Sequence, residues 1–243
     1  MIFNILTLFP DTIRCFFRES IVKRAVENEI IQINIYNIRD YSTDKHKRVD
    51  DYPFGGGRGM LLTPDPLFRA VESIKNKGQV IYLSPMGACL KQPKVRELSQ
   101  EKCLTFICGH YEGIDNRVIE HLVDEEISIG DYILTCGEIA AAVLVDSITR
   151  ELKGSLGNNE SKLEESFDET GLLEYEQYTR PDKYRGYGIP EVLLSGNHEE
   201  IKKWRMKRRL LNTLERRPGM LDTSSFSAEY KKLLCEVAKE KDL

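Results

Sequence analysis

Over residues 1–150 the chain alternates short runs rich in Ile, Leu, Val and Tyr with longer amphipathic stretches. That order builds a parallel sheet covered by helices, which makes the fold class α/β. The β-type runs are 2–8, 31–35, 79–83, 104–108, 126–129 and 132–134, each bounded by Gly, Pro, Asn or Asp. Between them, 11–28, 64–76, 91–100, 116–123 and 138–151 place apolar residues at three- and four-residue spacing and are predicted helices.

The pattern stops near residue 157. From 158 to 176 there are seven acidic residues against Lys162 alone, with few large apolar ones. Such a stretch is expected to be a mobile linker, because it buries too little to offset its ordering entropy. Beyond it, Ser195, Gly196, Asn197 and His198 read as a helix start, and Phe226, Tyr230, Leu233, Leu234 and Val237 mark a second helix. The expected organisation is an α/β domain over 1–157, an acidic linker over 158–176 and a small all-helical domain over 177–243. A length of 243 residues suffices for this without a metal or disulfide staple. The six cysteines include no C-x-x-C pair and read as reduced, packed thiols, with no zinc spacing and no metal site assigned. No apolar run approaches the ~20 residues of a membrane span, and residues 1–11 lack an export pattern, so a cytoplasmic protein is expected.

Charge is placed unevenly. Residues 201–217 hold eight basic residues and only Glu215 on the acidic side, a local +7 in a chain of −4. A helix of this kind, bearing Arg205, Lys207 and Arg208 beside Trp204, suits a polyanion. A solvated helix face is the plainer explanation. A second cluster runs from Thr43 through Asp50 and Asp51 into Gly55, Gly56, Gly57 and Gly59. Glycines so close together let a backbone approach a ligand, although no Gly-Lys-Ser/Thr closes a P-loop.

Three β-type runs end in unusual loops. They are Tyr82-Leu83-Ser84-Pro85-Met86-Gly87, then Cys108-Gly109-His110-Tyr111-Glu112-Gly113-Ile114-Asp115, then Ile129-Gly130-Asp131-Tyr132-Ile133-Leu134 running into Thr135-Cys136-Gly137-Glu138. Ligands of parallel α/β sheets bind at the carboxyl ends of strands, so these loops describe one pocket. With neither G-x-G-x-x-G nor Walker A present, a dinucleotide or triphosphate is disfavoured, which leaves open a ligand that takes backbone hydrogen bonds to a base and needs little phosphate grip.

These residues resemble a known family. Asp44-Lys45-His46, Val49-Asp50-Asp51, Gly55-Gly56-Gly57, the stretch from Cys108 to Asp115, Ser128 to Tyr132, Tyr178-Thr179-Arg180-Pro181, and Leu193 to His198 with Trp204-Arg205 are similar to the bacterial tRNA (guanine-N1)-methyltransferases of the SPOUT class. The likeness runs in order from Met1 to about Pro218. It implies a parallel sheet tied in a deep trefoil knot, a topology that general chain-path rules would not suggest. It also implies a homodimer with active sites shared between subunits, and methyl transfer from S-adenosylmethionine to N1 of the guanosine immediately 3′ of the tRNA anticodon. Magnesium is implied as a helper, with no site identified.

By this resemblance Tyr82 to Pro85, Gly109, Tyr111, Glu112, Ile129 to Leu134 (Asp131 among them), Cys136 and Gly137 hold the cofactor. Asp50, Gly55 to Gly57, Ser195 to His198, Arg205, Lys207 and Arg208 contact tRNA. Guanine N1 bears a proton that must leave, so a general base is required, and the charge that spreads to the exocyclic oxygen calls for a cation. Arg150 is the implied cation. The family's aspartate before Ser-Phe is replaced by Glu165, which keeps a similar reference pKa, ~4.3 against ~3.9, but reaches one methylene further. Further departures are His110 for arginine, Cys136 for glycine, and Glu176 and Lys153 for prolines. They leave open a second reading, a non-catalytic or altered-target SPOUT-class RNA-binding protein.

Overall fold

The computed structural model describes residues 1–156, 165–223 and 226–240. The chain divides into two compact units, Met1–Gly157 and Asn158–Leu243.

In the first unit, β1 (Ile2–Thr7), α1 (Pro10–Phe16), α2 (Ser20–Glu27) and β2 (Gln32–Asn37) come first. A small antiparallel pair, β3 (Asp50–Asp51) with β4 (Leu61–Leu62), follows, then α3 (Pro64–Ser73), β5 (Gln79–Cys89), α4 (Gln92–Leu98) and β6 (Cys103–Cys108). The unit closes with α5 (Asn116–Leu122), β7 (Glu125–Ser128) and α6 (Gly137–Glu151). The main sheet has the order β2-β1-β6-β5-β7, and every pairing is parallel. Side chains alternate across it, as a two-residue period requires. Phe3, Ile5, Ile81, Leu83, Leu104 and Phe106 face a core made with α1, α2, α4 and α6. Leu6, Val80, Tyr82 and Ile107 face another made with α3 and α5.

Three expectations need correction in this unit. Residues 11–28 form two helices rather than one: the first ends at Phe16 with Phe17 as its cap, and the second starts at Ser20, where φ is +62. Residues 132–134 are not a strand: Gly130, at φ +146, turns the chain and the Tyr132 N–H closes onto the Gly130 carbonyl at 2.9 Å. The strand ending at Leu83 continues as β5 to Cys89 after a register shift between Leu83 and Ala88. Gly87 makes that excursion possible, since a Cβ there would stand 2.4 Å from the Glu126 carbonyl carbon and the Ile127 nitrogen. Of the six free thiols, only Cys103 and Cys108 are buried, while Cys15, Cys89 and Cys235 are exposed.

The second unit is not wholly helical. It contains a hairpin, β8 (Lys183–Tyr184) with β9 (Tyr187–Gly188), before α7 (His198–Arg216) and α8 (Ala228–Glu240). Leu172, Leu210, Phe226 and Leu233 form its core. Of the stretch expected to be a mobile linker, 165–176 packs onto this unit, while 158–164 lies outside the described residues. Leu172 is fully buried, the Asn212 side chain donates to the Glu174 carbonyl at 2.9 Å, and the Leu173 N–H donates to Thr213 Oγ1 at 3.0 Å. The physical reason is pairing: the acidic residues meet the basic helix, Asp168 with Arg209 and Glu176 with Arg208.

Candidate active site

At the excursion within β5 and the carboxyl ends of β6 and β7 the first unit opens a cavity of about 450 Å³, within the ~300–1,000 Å³ range of small-molecule sites. Its lining includes Tyr82, Leu83, Ser84, Pro85, Gly109, Tyr111, Glu112, Ile129, Gly130, Tyr132, Ile133, Leu134, Cys136 and Gly137. Every residue expected to hold the cofactor is therefore on the wall except Asp131, which is exposed on the turn beside it. Met86, His110, Gly113 and Ile114, which the sequence placed in these loops without assigning them to the cofactor, also line it, as do Asn116, Glu126 and Ala140, which it did not mark. For Met86 the signal was the Ser84-Pro85-Met86-Gly87 loop, but Glu126 looked like an ordinary strand residue.

Local chemistry explains the shape. Gly137 opens α6 hard against the end of β6, its N–H donating to the Gly109 carbonyl at 3.0 Å. A Cβ on Gly137 would lie 2.8 Å from Cys108 Cα and the Gly109 nitrogen, so only glycine fits. Gly109 in turn faces the Tyr82 hydroxyl, 2.9 Å from where its Cβ would be. Burial, reinforced by the Glu126 carboxylate, pushes the Tyr82 phenol up to about 12, so it stays a neutral wall of the cavity. Burial also raises the Cys108 thiol, with Glu138 and Cys136 adding to the effect, so Cys108 is a packed group and not a nucleophile. Glu138 is itself buried and takes a hydrogen bond from Thr7 Oγ1.

The glycine-rich loop is fastened to the same wall. The Glu112 N–H donates to the Met60 carbonyl at 3.1 Å, the Leu62 N–H to the Gly113 carbonyl at 3.0 Å, and the Glu112 side chain fills the space beside Gly59. Gly55, Gly56 and Gly57 have positive φ, and the first two have open space where a side chain would be. Asp50 is half-buried on β3. Just upstream, the Arg48 guanidinium holds the Asp44 carboxyl well below the usual carboxylate range, which fixes the turn leading into β3.

Arg150 lies in the last turn of α6 and belongs to the first unit, whereas Glu165 belongs to the second. In the second unit Asn197 caps α7, its side chain accepting from the Glu200 N–H at 3.4 Å. The Ser195 hydroxyl donates to the Val192 carbonyl at 2.8 Å, and Gly196 takes φ +70. His198 begins the helix. The basic residues named for tRNA are largely engaged within the unit. Arg208 makes two hydrogen bonds to Glu176, Lys207 pairs with Glu236 at 3.2 Å, and Arg205 lies 4.8 Å over the Tyr175 ring. Lys202 and Lys203, on the same helix, are exposed. Among the described residues no group of three or more His, Cys, Asp or Glu side chains is placed to hold a metal ion, so none is assigned to magnesium. Among them, too, no helix is long and apolar enough to cross a membrane.

A parallel α/β sheet with a small-molecule cavity at its strand ends, joined in one chain to a unit whose longest helix is strongly basic, is the architecture of an enzyme that brings a small cofactor to a polyanionic substrate. Residues 1–223 match the model of the family described as tRNA (guanine-1)-methyltransferase TrmD, and the chain belongs to that family. It is 53% identical over 242 residues to a protein named tRNA (guanine-N(1)-)-methyltransferase from Caldanaerobacter subterraneus subsp. tengcongensis, covering 99% of this chain and 100% of the relative. It is 51% identical over 241 residues to a protein of the same name from Bacillus cereus strain B4264, covering 98% of each, and 50% identical over 242 residues to one from Bacillus anthracis, covering 98% and 99%.

Proposed function

We propose that the protein transfers a methyl group from S-adenosylmethionine to N1 of the guanosine immediately 3′ of the tRNA anticodon. Guanine-N1 methylation of tRNA is the activity for which its family and its relatives are named. The observation that carries the assignment to these residues is the cavity, which joins three separate loops at the strand ends into one wall. Glycines at 109, 113, 130 and 137 keep those stretches of the wall free of side chains, so a nucleoside can lie close to the main chain, and Leu83, Ile133 and Leu134 supply apolar surface for its base. The cofactor supplies an electrophilic sulfonium methyl.

In this reading Glu165 accepts the N1 proton, and Arg150 stabilises the negative charge that develops on the guanine exocyclic oxygen. Arg150 falls on the outward stripe of α6 with Ile139, Val143 and Asp146, and the two apolar members are 37% and 41% exposed. That stripe supports a homodimer closed across α6, in which each active site draws on both subunits. The close passage of Gly137 over Cys108 and Gly109, directly after the edge strand β7, supports the knotted path of the SPOUT class. A tRNA substrate puts the reaction in the cytoplasm.

The test is to incubate the protein with S-adenosylmethionine and an unmodified tRNA transcript bearing guanosine after the anticodon, digest, and look for 1-methylguanosine by mass spectrometry. Its formation at that position is the expected result. Cofactor binding without the product would favour the altered-target or non-catalytic reading, which Glu165 and Cys136 motivate.

A further inference from the structure

The second unit displays a surface that neither its core nor its basic helix uses. β8 and β9 form a hairpin in which Tyr184 pairs directly with Tyr187, so both rings leave the same face. The connection is a two-residue turn, Arg185 and Gly186, with φ +52 and +88. Both values lie in the left-handed region that the tightest hairpin turns demand, which fixes the two rings relative to one another. They are nonetheless 60% and 80% exposed. The Arg185 guanidinium stands 5.3 Å from the centre of the Tyr184 ring. Around them residues 178–188 hold Arg180 and Lys183, and Asp182 is the one acidic residue of the stretch.

We infer that the Tyr184–Tyr187 face of this hairpin is a stacking platform for unpaired nucleotides of the RNA substrate. The inference rests on the tRNA reading above and deepens it by naming a contact. Two rigid rings on one face, next to a guanidinium, match what single-stranded nucleic acid offers: a π-face on every base and a phosphate between bases. A duplex is a poor fit, because its bases are already stacked and their faces are hidden. A protein partner is disfavoured by charge, since this short stretch carries a net +2 in a chain of −4 and complements a polyanion. The loop of a tRNA arm supplies both features at once, splayed bases and closely spaced phosphates.

The experiment uses the full chain and two RNA probes, an anticodon stem-loop with 2-aminopurine in its loop and a fully paired duplex of the same length. The Tyr184→Ala/Tyr187→Ala variant is expected to bind the stem-loop between about fivefold and a hundredfold more weakly, the range that loss of one stacked base gives. Its affinity for the duplex should stay within twofold of wild type. The Tyr184→Phe/Tyr187→Phe variant keeps the rings and should bind both probes as wild type does, quenching 2-aminopurine fluorescence where the alanine variant does not. Thermal unfolding checks that the double variant is folded, and the single Tyr187→Ala change repeats the comparison if it is not. Unchanged stem-loop affinity, an equal loss on both probes, or a change in oligomeric state on ultracentrifugation would each overturn the inference, the last by making the face a contact between copies. Failure of the methylation reading would show separately, as a wild-type protein that forms no 1-methylguanosine.

Discussion

Arg209 and Asp168 meet at 2.8 Å with their side chains only 5% and 9% exposed. The guanidinium also donates to the Leu173 carbonyl and to Thr170 Oγ1, both at 3.2 Å, so one arginine pins the whole turn that follows Glu165. Asp168 is thereby committed to holding the chain. Asp168→Ala would leave a buried cation uncompensated, a loss of about 3–5 kcal/mol. A urea titration of the variant should show the second unit unfolding at clearly lower denaturant; a midpoint equal to wild type would remove the pair as an anchor.

Glu165→Gln keeps the shape of the side chain and removes its capacity to accept a proton. We expect turnover to fall by at least two orders of magnitude, within the range that general-base catalysis contributes. S-adenosylmethionine affinity, measured by calorimetry, should stay within about twofold. Retained turnover would exclude Glu165 as the base.

Acid should loosen the second unit. The two hydrogen bonds from Arg208 hold the Glu176 carboxyl below its ordinary value of 4.5, the largest influence on it. A carboxylate whose pKa is lowered in the fold adds stability that is full above the unfolded value and is lost as pH falls through the folded one. The unfolding midpoint should therefore fall on acidification below about pH 4.5, and Glu176→Gln should flatten that part of the profile.

Lys202→Ala/Lys203→Ala and Arg208→Ala should separate binding from stability. The two lysines are exposed, so removing them should lower the slope of log affinity for tRNA against log salt by roughly 0.7–0.9 for each phosphate they neutralise, with the melting temperature unchanged. Arg208→Ala strands Glu176 and should act first on the melting temperature. An unaltered salt slope in the lysine variant would count against this face of α7 as an RNA-binding surface.

Gly137→Ala places a methyl group against main-chain atoms of Cys108 and Gly109, which have no flexible end to swing away. A destabilisation of about 1–3 kcal/mol is expected, with weakened S-adenosylmethionine binding, because the backbone that shifts is also the cavity wall. Cys136→Gly, one residue earlier, removes a side chain from the lining and should not destabilise the first unit in the same way.

Much of the fold was legible in the residues. The alternation of β-type and helical runs pointed to the parallel sheet, and the glycine-bearing loops after residues 83, 108 and 129 named most of the cavity wall. What escaped was whatever depended on a partner distant in the chain. Ser84-Pro85-Met86-Gly87 reads as the end of a strand, and only the backbone of Glu126 and Ile127 explains why the strand resumes. Residues 132–134 have strand-like side chains but follow a glycine at φ +146 that turns them into the lining. The acidic stretch looked unable to order itself because its own residues cannot bury enough surface. Two of its carboxylates, Asp168 and Glu176, find their partners on α7, some 30 to 40 residues later. Within 178–188, nothing in the order of residues showed that Tyr184 and Tyr187 would share a face.

The cavity's dependence on glycine has a bearing on inhibitors. Gly109, Gly113, Gly130 and Gly137 line it with main chain, and an amino-acid replacement cannot delete a peptide group; it can only add a side chain in front of one. At positions 109, 130 and 137 the added atom would collide with Tyr82, Tyr132 and the end of β6 respectively. A compound packed against this main-chain wall therefore leaves few routes to resistance, since the replacements that would block it also distort the site the enzyme needs.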